Sequence, residues 1–225
     1  MGIGQKIRKG KCICRDDFLI SHCDGKAVLH VGCTDYPFFQ ANFEEGHLLH
    51  QKIAKYSSKT IGIDLANEDV ISMQNHGYDV RHVNAQSMAD QLLPEKFDVI
   101  LLADVIEHIT NPGLVFVEAQ KLLKENGSII VTVPNAFGII RFLKSFFRYE
   151  QVHPDHIAYY SSVTLETMAH RFDLAVADIA WYQFEARDKR LIVILSAYLE
   201  RIFTYFFPWQ GEGCIAVLKA NTASQ

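Results

Sequence analysis

Lys26–Asp35 reads KAVLHVGCTD. Ala27-Val28-Leu29 with Val31 make a short apolar run that stops at Gly32, and Cys33, Thr34 and Asp35 then offer small or polar atoms and backbone N–H groups. This is the pattern of a buried strand entering a tight turn. A strand that stops this way before a helix is how an open α/β sheet sets a ligand at its carboxyl edge. One such turn is common among α/β domains, so its meaning comes from the segments around it.

Downstream, Leu49, Ile53 and Tyr56 fall at helical spacing within 46–56, followed by a β-branched strand at Thr60–Asp64 that ends in a carboxylate. A helix over Ala66–Asn75 stops at Gly77, and Tyr78–Val83 alternates as a strand into Asn84-Ala85-Gln86. Phe97–Ala103 (FDVILLA) is the most apolar strand, as suits one covered on both faces. Pro112 opens a helix with Val115, Ala119 and Leu122 on one stripe, closed by Gly127, before a strand over Ser128–Val133. Strand alternating with helix in this way predicts a doubly wound, mostly parallel, Rossmann-like α/β sheet with helices on both faces. Strands at Leu174–Trp181 and Cys214–Leu218 bring the expected total to seven, with helices at Ala136–Arg148, Val163–Arg171 and Leu191–Phe207. Residues 1–225 read as one domain: 1–25 is a lead-in with a short helix near Cys14–Ser21, while 136–162 and 182–212 form a small helical cap.

At 225 residues, 49% apolar and 21% charged, the chain has an ordinary globular composition, and its net charge of −4 argues against a nucleic-acid-coating surface. The basic start is not followed by an apolar run, so no secretory signal is read, and Lys6 stands where a myristoylation motif needs Ser or Thr. Five irregularly spaced cysteines predict reduced thiols in a cytoplasmic protein; Cys12, Cys14, His22 and Cys23 match no common zinc spacing. The tail Asn221–Gln225 is expected to fray.

Asp64, at the end of its strand, can accept from both hydroxyls of a ribose or simply cap the following helix. Asn84 can accept from an exocyclic amine or serve as a polar turn. The segments VLHVGC, GIDL, Asn84-Ala85, FDVILLADVIEHITNP, LLKENGSIIVTVPN and HIAYYSSVTLETMAHRFDL, in that order, resemble the class I S-adenosylmethionine-dependent methyltransferases. The likeness is greatest to the small-molecule branch that includes the quinone-biosynthesis enzymes, and it runs from about Ala27 to Leu174. It implies S-adenosyl-L-methionine as cofactor and S-adenosyl-L-homocysteine as product. By the same likeness, Gly32 and Cys33 lie under the methionine part, Asp64 holds the ribose, Leu65 packs on the adenine and Asn84 with Ala85 borders it. Ala103 and Asp104 face the sulfonium. The first turn departs from the family, which usually has an acid where this chain has His30, and two or three glycines where it keeps one; Thr34 and Asp35 either crowd the cofactor or replace lost partners.

His156 and His108 are the candidate acid–base residues, since imidazole titrates near neutrality; a structural role for His108 is the alternative, and His153 reads as a loop residue. Asp104, Glu107 and His108 would share a face on a helical turn and, with His156, make a set able to hold a divalent ion. Asp104 is shorter than the Glu usual in such a set, and no metal is assigned. The long helix carries apolar residues on more than one face (Leu191, Leu195, Tyr198 and Ile202; Ile192, Leu199, Phe203 and Phe206), interrupted by Glu200-Arg201. It is read as a core helix or homodimer contact, or as a lid or membrane-surface patch helped by Arg141, Lys144 and Arg148. The expected activity is methyl transfer to oxygen or nitrogen of a small molecule, with lipid-like, quinone-like and saccharide acceptors all open. The rivals are a non-catalytic relative that binds a nucleoside or protein partner, and a nicotinamide-dependent dehydrogenase. The turn lacks the spaced glycines the latter needs.

Overall fold

A computed structural model describes residues 4–150, 152–184 and 190–221. Gly2, part of the cap expected at 182–212, most of the tail expected to fray and the side chain of Ile192 lie outside the described residues. In chain order the elements are β1 (Cys12–Ile13), α1 (Arg15–Cys23), β2 (Ala27–Val31), α2 (Phe39–Glu44), α3 (Leu49–Ala54), β3 (Lys59–Asp64), α4 (Asn67–Asn75), β4 (Val80–His82) and α5 (Met88–Leu92). They continue with β5 (Phe97–Ala103), α6 (Pro112–Leu122), β6 (Leu123–Pro134), α7 (Ile139–Ser145), α8 (Ser162–Arg171), β7 (Leu174–Tyr182), α9 (Leu191–Phe206) and β8 (Gly213–Ala220).

The strands form one sheet in the order β1-β7-β8-β6-β5-β2-β3-β4, parallel except for β8, which runs antiparallel to both neighbours. From β2 the chain winds outward through β3 and β4, then returns to β5 on the other side of β2. The tips of β2 and β5 therefore flank the point where strand order reverses, the place where such sheets leave a crevice. Alternation along the strands sends Leu29, Val31, Ile100 and Leu102 to one face, against α5, α6 and α8. Val28, Val99 and Leu101 go to the other face, against α1 and α3.

Among the described residues eight strands form where seven are expected. The extra one, β1, lies in the lead-in and pairs Cys12 and Ile13 with Trp181 and Tyr182; two residues are too few to show alternation. Helices α2 and α5 also went unread. Helix α6 stops at Leu122 rather than at Gly127, because Leu123 already pairs with Phe97 on β5. In the cap, α7 is shorter than the expected 136–148. Buried Asn135 ties this region to the sheet's end: its Nδ2 donates to the carbonyls of Trp209 and Gly211, and Arg141 donates to the carbonyl of Glu212.

The acid-for-histidine exchange on β2 has a structural counterpart. His30 is buried and meets buried His50 of α3, Nδ1 to Nδ1 at 3.2 Å with the rings stacked. One nitrogen must donate and the other accept, so the two rings cannot both be protonated at once. Gly62 makes room for this: a Cβ there would stand 2.7 Å from His50 Cε1 and from Cys33 Sγ. Burial, with the neighbouring His50 and Arg15 charges, pushes His30 well below its usual pKa; burial pushes His50 down to about 4. The unfolded chain thus binds protons that the folded one refuses. Stability present above pH 6.5 is lost as pH falls toward 4, by about 3 kcal/mol from His50 alone. Urea midpoints followed by tryptophan fluorescence should fall across that range. The double variant His30→Leu/His50→Leu should show a shallower pH slope; an unchanged slope would remove the pair from the account.

Candidate active site

Gly32 ends β2 with φ +72, and a Cβ there would meet Val105 Cγ2 at 2.7 Å, so the turn needs glycine. The N–H groups expected to be free are occupied. Gly32 and Cys33 both donate to the carbonyl of Ile63, and Thr34 donates to Asp64 Oδ2 at 3.0 Å. Asp64 Oδ1 accepts from Ala66 N–H at 3.0 Å. Each carboxylate oxygen keeps a second lone pair. Capping and ligand acceptance are therefore compatible.

A cavity of about 580 Å³ opens at this edge. Gly32, Asp64, Leu65, Asn84, Ala85, Ala103, Asp104, His108 and His156 all border it, as do Asp35 and Tyr36. Leu65 is 61% exposed, an apolar surface facing open space. Asn84 Oδ1 accepts from Gln86 N–H at 2.9 Å and caps the turn over Ala85–Ser87. Cys33 borders a neighbouring cavity rather than this one, and its side chain packs with Phe39, Leu48, Val70, Met73 and Val80. Thr34 is fully buried and does not border the cavity, whereas Asp35, which bonds to Asn42, lines it.

A second cavity, about 590 Å³, adjoins the first through Gly32, Asp35, Ala103, Asp104 and Phe184. Asp104 stands at the junction with φ +52. Its N–H donates to the carbonyl and hydroxyl of Thr132 on β6, and that hydroxyl donates back to Oδ1 at 3.0 Å. Tyr182 on β7 also donates to Oδ1 at 3.0 Å, and Arg15 of α1 pairs with Oδ2 at 3.0 Å while its guanidinium lies 5.5 Å from the Tyr182 ring centroid. Burial and the Asp104 charge hold the Tyr182 phenol well above its usual range. Arg15 and Tyr182 were not read from the sequence. A lone cation in a short lead-in helix and a phenol closing an apolar strand form no motif.

The four-residue metal set does not assemble. Asp104 lies outside any helix, and the 3₁₀ turn spans only Ile106–His108, so the shared face is not formed. Glu107 is instead fully buried with neither carboxylate oxygen hydrogen-bonded; burial and then Asp104 push it up to about 9, so it is uncharged at neutral pH. The potential ligand atoms that converge, all within 4.8 Å of one another, are those of His108, His156 and His153. His108 and His156 pack edge-on at 4.5 Å between ring centroids. Burial first, then the neighbouring imidazoles, lowers His108 and takes His156 down to about 4. Both are thus neutral at pH 7.

A family model described as a methyltransferase domain matches residues 19–179. Among curated proteins, the chain is 30% identical over 128 residues to the ubiquinone biosynthesis O-methyltransferase of Azorhizobium caulinodans, covering 54% of this chain and 44% of that one. It is 30% identical over 132 residues to the enzyme of the same description from Ruegeria, covering 54% and 52%. The chain spans about half the length of these relatives. A solved methyltransferase from Archaeoglobus fulgidus superposes with a TM-score of 0.60 at 16% identity over 91% of both chains. One from Bacteroides fragilis, in complex with S-adenosyl-L-homocysteine, gives 0.53 at 18% over 91% and 76%. With the strand order, the open crevice and the family match together, this chain belongs to the class I S-adenosylmethionine-dependent methyltransferases.

Proposed function

We propose that the chain binds S-adenosyl-L-methionine across the tips of β2, β3 and β5 and catalyses methyl transfer to an oxygen of a small-molecule acceptor, releasing S-adenosyl-L-homocysteine. The observation that carries this is the open cavity at the switch point, bordered by both Asp64 and Asp104. Asp64 accepts the ribose hydroxyls on its remaining lone pairs, Leu65 covers one adenine face, and Asn84 with Ala85 borders the ring. Arg15, whose Nε is buried without a hydrogen-bond partner, meets the cofactor's carboxylate at the adjoining cavity. The bound cofactor supplies an electrophilic methyl carbon on a cationic sulfur.

The protein's task is then alignment and proton removal. Ala103 and Asp104 sit at the junction of the two cavities, where the reacting groups meet. His156, neutral at working pH, takes the acceptor's proton, and His108 and His153 hold its ring in place. The cap segment 136–162 contributes a separate groove of about 750 Å³ lined by Phe137, Ile139, Phe142, Tyr149 and Tyr159, which suits an apolar acceptor. The names of the curated relatives support a quinone-like acceptor and oxygen over nitrogen. Five free cysteines support a reducing, cytoplasmic compartment. No helix among the described residues is long and apolar enough to cross a membrane.

Calorimetry with S-adenosylhomocysteine and with methylthioadenosine, which lacks the amino-acid end, separates the two anchors. Asp64→Ala should weaken both ligands by roughly tenfold or more, Arg15→Ala only the former; equal losses for Arg15→Ala would remove its assignment. His156→Ala should lower methyl transfer from labelled cofactor to a catechol panel by roughly a hundredfold, with cofactor affinity within about threefold of the parent. A larger loss of affinity than of turnover would place His156 in the cofactor site. The rate limb due to His156 protonation should appear only below about pH 5, given a pKa of about 4. A limb near 7 would contradict the assignment.

A further inference from the structure

Helix α9 is turned inside out. Successive residues rotate by about 100°, which places Leu191, Ile194, Leu195, Tyr198, Leu199 and Phe206 on one arc of roughly half the helix. Each is half or more exposed. The opposite arc holds Ala197, Glu200 and Thr204: Thr204 is buried and accepts from Gln183 Nε2 at 2.9 Å, and Glu200 is half-buried within electrostatic reach of Arg141 and Lys144. A surface helix of a water-soluble domain shows the reverse arrangement. The aromatic stretch at α7 repeats the pattern, with Phe146 and Phe147 strongly exposed.

From these observations we infer that the outer face of α9, together with the aromatic–basic segment at α7, docks the domain on an anionic lipid surface. Charge selects this occupant. Residues 142–149 and 190–207 carry Lys144, Arg148, Arg190 and Arg201 against one acid, Glu200, in a chain whose net charge is −4, while Arg141 is turned inward onto the Glu212 carbonyl. Basic residues on the same two segments as an apolar, tyrosine-bearing face complement anionic headgroups above acyl chains. A second copy docked by the same face would set the basic residues of the two copies against each other. The helix is too short and too interrupted to span, so it lies in the interface.

The orientation has a consequence for the proposed reaction, and this part rests on that reading. Arg201, Thr204 and Tyr205 of α9 line the cavity that adjoins Asp104. One side of the helix therefore touches lipid while the other roofs the site, and an acceptor dissolved in the membrane reaches the cavity beneath α9 without crossing water.

Co-sedimentation with vesicles tests the docking directly, using phosphatidylcholine alone and phosphatidylcholine with about 30% phosphatidylglycerol. The chain should bind the anionic vesicles at least roughly tenfold more tightly, and about 0.5 M salt should weaken that binding. Leu195→Glu/Leu199→Glu, on the outer face and away from the cavity, should lose binding by at least roughly tenfold while S-adenosylhomocysteine affinity by calorimetry stays unchanged. Leu195→Gln/Leu199→Gln should give an intermediate loss and guards against misfolding of the charged variant. Failure to sediment with either vesicle would overturn the inference. So would a dimer in sedimentation velocity that the same variants dissolve, since a second copy would then cover the face. Loss of cofactor affinity in the parent chain would instead strike the proposed function and leave the vesicle result to stand alone.

Discussion

The site depends on how Asp104 is held. Its left-handed backbone takes the chain out of β5 and turns the carboxylate back over the sheet, where Thr132, Tyr182 and Arg15 grip it from β6, β7 and α1. A partly buried carboxylate is costly without partners; with a cation and two hydroxyl donors it becomes a rigid fixture. Three separate elements are thereby fastened to the tip of the central strand. That places the junction of the two cavities, and Arg15 with it, at a fixed distance from Asp64 on the neighbouring tip.

The impoverished first turn is resolved inside the protein. Where relatives usually place an acid, His30 turns to His50 and closes a neutral pair beneath the turn. The N–H groups of Gly32, Cys33 and Thr34 are spent on Ile63 and Asp64 rather than left for a ligand. Gly32 remains because Val105 leaves no room for a side chain. The turn is thus closed on itself, and the unpartnered Nε of Arg15, on a different element, faces the adjoining cavity instead.

Much of the sheet was legible because its signals are local. The apolar runs at Ala27–Val31 and Phe97–Ala103 match their strands residue for residue, since buried parallel strands carry continuous apolar stretches. Helix α9 was legible in extent but not in orientation, because a sequence that is apolar almost all round does not say which arc is covered. The residues that border the cavity were legible where they lie at or just beyond the end of a strand, as with Asp64, Asn84 and Asp104. The site was illegible where residues distant in sequence converge: Arg15 and Tyr182 on Asp104, or His153 beside His108 and His156. The metal set was misread because a helical spacing was applied across a residue whose backbone leaves the helical region.

The proposed function requires one nucleoside cofactor to fit in the cavity bordered by Asp64 and Asp104, with its amino-acid end toward Arg15. Crystals of the chain soaked in S-adenosylhomocysteine test this most directly. The account predicts a single bound molecule with its ribose on the Asp64 carboxylate, its adenine against Leu65 and its carboxylate at Arg15. A cavity left empty at saturating ligand, or a molecule seated elsewhere on the domain, would contradict it.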